Sequence, residues 1–335
     1  LTANYVGNNT IHLYGSTQGN PAEFLGLGPC TLDVVQPNGA VSPQSFPVCS
    51  TTANQNFRRK LYRQDPLKGQ YFASVVQDLN SGTANYNGLY VSANKALTHG
   101  ISMLANYTLS HCIGDISDHN PGSGGQQRPD SRRASRGNCT IGTADVRHLF
   151  TLNMVANTPK FANKTLGIIA SNWQLAPILQ LKSGNFLNIL TGTDTALAAV
   201  NGQTANQVLP DVYAPSKAAS CAPCLTILNK AAFSIPAPGT YGNMAFGAVK
   251  GPGLIQLNMA LSRMFSIGEK RTIQFRAEAF NLPNHLNPLI SPANLNLNSS
   301  RFGISDVDQS GIGGATAGVT SGDYRVIQLA VKVVF

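Results

Sequence analysis

The sequence predicts an all-β chain that forms a portion of an antiparallel transmembrane β-barrel. Three observations carry the prediction. Apolar residues recur at every second position in roughly ten segments, the connections between segments alternate long and short, and only 12% of residues are charged. That charge is about half the usual share; Asn, Thr, Ser and Gln take its place, with 32 Gly and 19 Pro. A helical bundle or coiled coil, rich in Ala, Glu, Lys, Arg and Leu, is excluded by this composition. No stretch reaches 18 consecutive apolar residues, so membrane helices are excluded as well. Membrane strands are not, because their apolar residues come every second position.

Taken along the chain, segments 3–14, 55–64 and 69–78 are the first strand candidates. Segment 86–96 follows with Leu89, Val91 and Ala93 on one face, then 101–111 with Met103, Ala105, Tyr107 and Leu109. In 146–157, Phe150, Leu152 and Met154 oppose Arg147, Thr151 and Asn153. Segment 166–182 sets Trp173, Leu175, Leu179 and Leu181 against Gln174, Gln180 and Lys182. In 255–265 the apolar face is Ile255, Leu257, Met259, Leu261 and Phe265, against Gln256, Asn258, Ala260 and Ser262. In 271–281, Ile273, Phe275, Ala277 and Ala279 oppose Thr272, Gln274, Arg276 and Glu278. The last eleven residues place Ile327, Leu329, Val331, Val333 and Phe335 opposite Gln328, Ala330 and Lys332.

A water-soluble sandwich alternates too, so the connections decide between them. Segments 97–100, 158–165 and 266–270 are short, whereas 112–145, 183–254 and 282–324 are long. Outer-membrane barrels have short periplasmic turns and long extracellular loops, and long structureless loops are uncommon inside compact soluble domains. This parity puts Phe335 at the periplasmic end and all six cysteines in outer loops. Arg276, Glu278, Gln274 and Lys332 then face a water-filled lumen, with an ion pair the expected role for the first two. Tyr71, Tyr107, Trp173, Phe265, Tyr324 and Phe335 fall near strand ends, where interfacial girdles lie.

The net charge is +9, from 24 basic and 15 acidic residues. The basic residues gather at Arg58, Arg59, Lys60 and Arg63, and at Arg128, Arg132, Arg133 and Arg136 in Gly/Ser/Pro-rich sequence. No aromatic residues interleave the second cluster, so it reads as a solvated or lipid-facing loop and not as a nucleic-acid surface. Six cysteines, Cys30, Cys49, Cys112, Cys139, Cys221 and Cys224, suit loop disulfides in an oxidising compartment. Proximity pairs Cys30 with Cys49, Cys112 with Cys139 and Cys221 with Cys224, although six cysteines allow fifteen connectivities.

His111, Asp115, Asp118 and His119 are close enough to suggest a metal loop, yet lack the regular ligand order of a calcium site. Nucleophile-elbow and phosphate-loop motifs are absent, and Gly251-Pro252-Gly253 is a turn signal. The expectation is therefore no enzyme, no metal and no cofactor.

Several motifs resemble a family. They are Tyr86-Asn87-Gly88-Leu89-Tyr90-Val91-Ser92 leading to Ala105-Asn106-Tyr107-Thr108-Leu109-Ser110, then Asp145-Val146-Arg147-His148, Gly242-Asn243, and Gly251-Pro252-Gly253. Sharpest is Gln274-Phe275-Arg276-Ala277-Glu278-Ala279-Phe280-Asn281 with Pro283-Asn284-His285-Leu286-Asn287, followed by Phe302-Gly303 and Arg325 to Phe335. Over residues 1–335 this is similar to the C-terminal part of the Oar-like TonB-dependent receptors common in acidobacteria. The resemblance implies an open half of a 22-stranded barrel in a Gram-negative outer membrane. It also implies a plug and N-terminal domains missing from this chain, and a TonB system acting through that plug. The partners it implies are outer-membrane lipid and a scarce solute, siderophore-like or glycan, with no nucleic acid. Two other classes remain: a self-closed, passive porin-like barrel, and a soluble surface β-sandwich that binds glycan or protein.

Overall fold

Strand-forming residues fix the frame. The computed structural model describes residues 1–115, 134, 136–139, 145–217, 224–267, 271–305 and 324–334. Eight long strands make a single antiparallel meander, each pairing with the next in sequence. They are β1 (Thr2–Gln18), β2 (Val76–Thr98), β3 (Ile101–Gly114), β4 (His148–Asn157), β5 (Trp173–Lys182), β6 (Leu254–Ile267), β7 (Arg271–Phe280) and β8 (Val326–Val334). The two residues Gly137–Asn138 add a short second partner to β3. The sheet is not closed: β1 and β8 each pair on one side only.

Among the described residues the wall has eight long strands where the alternation suggested roughly ten. Segment 55–64 is helical: a single 3₁₀ turn, Gln55–Arg58, leads into α1 (Lys60–Gln64), and α2 (Pro66–Gly69) follows. Asp65 starts α2 by accepting from the Lys68 amide, and Pro66 sits where a missing N–H costs nothing. Candidate 86–96 lies wholly within the 23-residue β2, which takes in only 76–78 of candidate 69–78; residues 69–75 are the end of α2 and an irregular segment. Segment 166–170 is also helical, within α3 (Lys164–Ala170), because Asn163 accepts from the Thr165 and Leu166 amides as its N-cap. β5 therefore begins at Trp173.

Alternation of connections holds throughout. β2 and β3 are joined by His99-Gly100 alone, both at positive φ (50° and 80°), the geometry of a tight hairpin. Gly100 is needed there, since a Cβ would come within 2.6 Å of the Asn157 carbonyl. Residues 268–270 connect β6 to β7, and the β4–β5 connection, 158–172, holds α3. Against these stand 19–75, 115–147, 183–253 and 281–325. All three short connections lie at one end of the sheet and all four long ones at the other.

Register turns the alternation into two continuous faces. Ala3, Val91, Tyr107, Phe150, Leu181 and Ile255 lie side by side across β1 to β6. Leu175, Leu261, Ala277 and Leu329 continue that face to β8. On the opposite face, Thr2, Ser92, Asn106, Thr151, Gln180 and Gln256 form a polar row. Burial is inverted relative to a water-soluble sheet. Leu261 is 39% exposed, Phe275 51% and Leu329 77%, while Gln256 and Ser262 are 5%. The eleven residues from Ile255 to Phe265 match the length a tilted strand needs to cross a bilayer.

The principal apolar core lies outside the wall. Ile189, Leu228, Phe233, Met244, Val249, Ile290, Leu295 and Phe302 pack together, all from the two long connections 183–253 and 281–325. Short ribbons brace these connections, pairing Phe186–Leu187 with Val249–Lys250 and Tyr213–Lys217 with Leu225–Leu228. The long connections thus fold into a cap above one end of the wall.

Candidate functional site

The polar row ends where the wall meets the cap. Gln180 and Lys182 lie among the last three residues of β5, and Gln256 stands directly opposite Gln180 on β6. The chain then leaves β5 through Ser183-Gly184-Asn185 and enters β6 through Gly251-Pro252-Gly253. A Cβ at Gly184 would overlap the Gly251 carbonyl, so glycine lets these two backbones close together. Asn185 O accepts from the Gly251 amide at 2.7 Å. Between them lies a cavity of about 200 Å³, lined by Gln180, Lys182, Ser183, Asn185 and the Gly251–Gly253 turn, with Leu187, Leu254, Leu289 and Ile290 as an apolar shelf.

This arrangement can hold a small polar solute. Lys182 offers one cation, the amides offer donors and acceptors, and Asn185 Oδ1 is buried with no hydrogen-bond partner among the described residues. A buried acceptor without a donor costs about 1–3 kcal/mol, which a ligand hydroxyl or amine would relieve. The row continues outward from it: Ser92 and Tyr90 hydroxyls donate to Asn106 Oδ1 at 2.8 and 2.7 Å. Nearer the short turns the same face becomes apolar, where Leu104, Val155, Ala176 and Ile178 line a hollow of about 360 Å³.

Of the residues singled out from sequence, Arg276, Glu278, Gln274 and Lys332 all fall on the polar face. Arg276 pairs with Glu278 on its own strand; Gln274 stands opposite Lys332. Two of the expected disulfides form, Cys30–Cys49 and Cys112–Cys139, with Cα separations of 5.2 and 5.4 Å. Cys112 lies within β3 and not in a loop, at its long-connection end. Cys224 is buried and disulfide-bonded, and Cys221 lies outside the described residues. The suggested metal loop does not come together among the described residues. His111 faces Asn138 Oδ1 at 3.2 Å and Asp115 accepts from the Thr83 amide and hydroxyl, while Asp118 and His119 lie outside the description. Arg128, Arg132, Arg133 and Phe335 lie outside it too. Tyr71, 80% exposed, is in a connection and not at a strand end. Trp173 stands at the first residue of β5, whereas Tyr107 lies inside β3, bonding His148 Nδ1 at 2.8 Å.

Two structural devices were not legible as such. Arg58 is fully buried and donates to the carbonyls of Glu23, Thr51 and Leu197 and to Asn54 Oδ1, tying the first long connection to the third. Burial pulls the Arg58 and Arg59 pKa values below the usual guanidinium range, and nearby Asp194 opposes that shift. The second device is the Asn281–Asn287 motif. Asn287, wholly buried, accepts from the Ile255 amide and donates to its carbonyl, at 2.8 and 3.1 Å. Asn281 bonds His285 in both directions, and Asn284 accepts from the Arg325 amide at 3.0 Å. The motif therefore clasps β6, β7 and β8 where they meet the cap, which explains its residue types without a ligand.

Comparison with known proteins agrees with the inverted faces. A family model for an outer membrane beta barrel domain matches residues 1–328. No curated protein and no solved structure matches the chain. With eight long strands in meander order, one face apolar and the other polar, and the family model matching most of its length, the chain belongs to the outer membrane β-barrel domain family.

Proposed function

We propose that this chain is barrel wall and loop cap of an Oar-like TonB-dependent receptor, importing a scarce solute across the outer membrane. The observation that carries the reading is the asymmetry of the wall's two ends. Three short connections stand at one end, and at the other the long connections form a folded, disulfide-bridged cap over a cavity with Lys182, Ser183 and Asn185 on one side and an apolar shelf on the other. A passive pore has no need of a packed cap at its mouth; a receptor needs one to recognise a solute before transport. In this reading the long connections are extracellular and the short ones periplasmic. Arg276, Glu278, Gln274 and Lys332 face the lumen, and the unpaired edges of β1 and β8 meet further strands of the same barrel. TonB acts through a plug encoded elsewhere in the protein, and no catalytic step is assigned. The inverted burial and the family match disfavour the soluble sandwich.

The reading frame upstream of Leu1 tests this. A plug-domain coding sequence in the same frame is expected; a start codon and leader immediately before Leu1 would replace the receptor with the passive pore. Orientation is tested separately. Lys68, whose side chain is 87% exposed in the first long connection, should react with an impermeant amine reagent on intact cells. Labelling of that site only after lysis would reverse the orientation.

A further inference from the structure

The β4–β5 connection holds a feature that transport does not require. α3 is seven residues long, too short to be stable by itself in water, and it exposes its apolar side chains. Leu166 is 49% exposed, Ile168 64% and Ile169 60%, and Phe161 just before it is also exposed. Its C-terminal carbonyls are held by the outer face of the wall. The Trp173 indole N–H donates to Ile169 O at 2.7 Å, and the Arg263 guanidinium donates to Ile168 O. Trp173 and Arg263 are cross-strand neighbours on the apolar face, and Arg263 stacks over Trp173 and Phe265 at 5.1 and 4.6 Å. A cation at a helix C-terminus and an aromatic–cation stack are each stabilising where water is thin. Connection 158–172 carries Lys160 and Lys164 and no acidic residue.

We propose that α3 is a lipid anchor. It lies against the outside of the wall, in the boundary of the phospholipid leaflet at the short-turn end. Leu166, Ile168, Ile169 and Phe161 enter the acyl region, and Lys160 and Lys164 meet lipid phosphates. Three observations select lipid as the occupant. The exposed helix face is continuous with the apolar belt through Trp173. Its basic flanks complement anionic headgroups. The apolar groups sit at the depth where the belt ends, the level at which interfacial helices and aromatic girdles lie. Contact with lipid rests on membership of the barrel family; the choice of leaflet rests on the orientation proposed above.

The test places a photoreactive benzoylphenylalanine at Ile168 of the intact protein in its own outer membrane, with Ile169 as the second position if the first variant does not fold. Light should yield a phospholipid adduct at least tenfold more abundant than from the same probe at Val208, which is 54% exposed in the cap. A lipopolysaccharide adduct in its place would overturn the leaflet and the orientation together. Adducts to protein alone, or none to any lipid while the same probe at Leu261 gives one, would overturn the anchor.

Discussion

Wall and cap are built from one chain under opposite burial rules. In the wall, Leu261, Phe275 and Leu329 are exposed and Gln256 and Ser262 are buried; in the cap, Ile189, Leu228 and Phe233 are buried in a shared apolar core. The wall is cross-strand hydrogen bonds with an apolar outside, the solution a bilayer demands because strand backbones must be paired and side chains must match hydrocarbon. The cap is an ordinary small core in water, aided by disulfides where its strands are too short to hold themselves. The difference shows where each solvent lies. It also predicts that the same kind of substitution has different consequences a few residues apart.

The largest effect should come from the cap's buried cation. Arg58→Met keeps the packing volume but leaves the Glu23, Thr51 and Leu197 carbonyls without their donor. Loss of roughly 3–5 kcal/mol is expected, as for other buried charges stripped of their role. The damage should stay in the cap. Limited proteolysis should cut within 19–75 at much lower protease concentration, while far-ultraviolet circular dichroism retains the strand signal. Collapse of the strand signal as well would show that wall and cap form one cooperative unit.

How far the sequence carried this picture follows from the same contrast. The wall was legible because a period of two survives residue by residue: the faces of 255–265 and 271–281 reappear unchanged in β6 and β7. Short turns, long connections and two disulfide pairs were legible for similar local reasons. The cap was not. Its core residues Ile189, Leu228, Ile290 and Phe302 follow no period, because short ribbons and bridges bring together residues about a hundred positions apart. Helix replaces the expected strand at 166–170, where the Asn163 cap outweighs alternation, and at 55–64, where no side-chain cap marks either helical turn. Arg58 stood out only as one of a group of basic residues, because burial of a charge by backbone carbonyls leaves no mark in local sequence. The Asn281–Asn287 stretch was conspicuous, but its clasping role needs the Ile255 backbone, which lies 32 residues from Asn287.

A mid-sized effect should separate the two faces of the wall directly. Leu261→Arg puts a charge near the middle of the apolar belt, at an expected cost of about 2–4 kcal/mol in a bilayer. Ser262→Arg, one residue on, points to the polar face beside Gln174 and Arg276, and should cost much less. Folding equilibria of the intact protein in phospholipid vesicles, by urea titration, measure both. Equal losses would mean that both faces are closed to water, contrary to a lumen.

The smallest effect is the most informative about that lumen. The Arg276–Glu278 pair is half exposed on the arginine side, and exposed pairs contribute about 0–1 kcal/mol. Arg276→Gln should therefore shift the urea midpoint only slightly. Raising salt to 1 M, where the screening length is about 3 Å, should remove what difference there is between variant and wild type. If the polar face were dry, with the plug packed tightly on it, the same substitution would strand the Glu278 carboxylate. The loss would then rise to several kcal/mol and resist salt. A small, salt-sensitive change thus places water against β7, and a large, salt-resistant one places protein there.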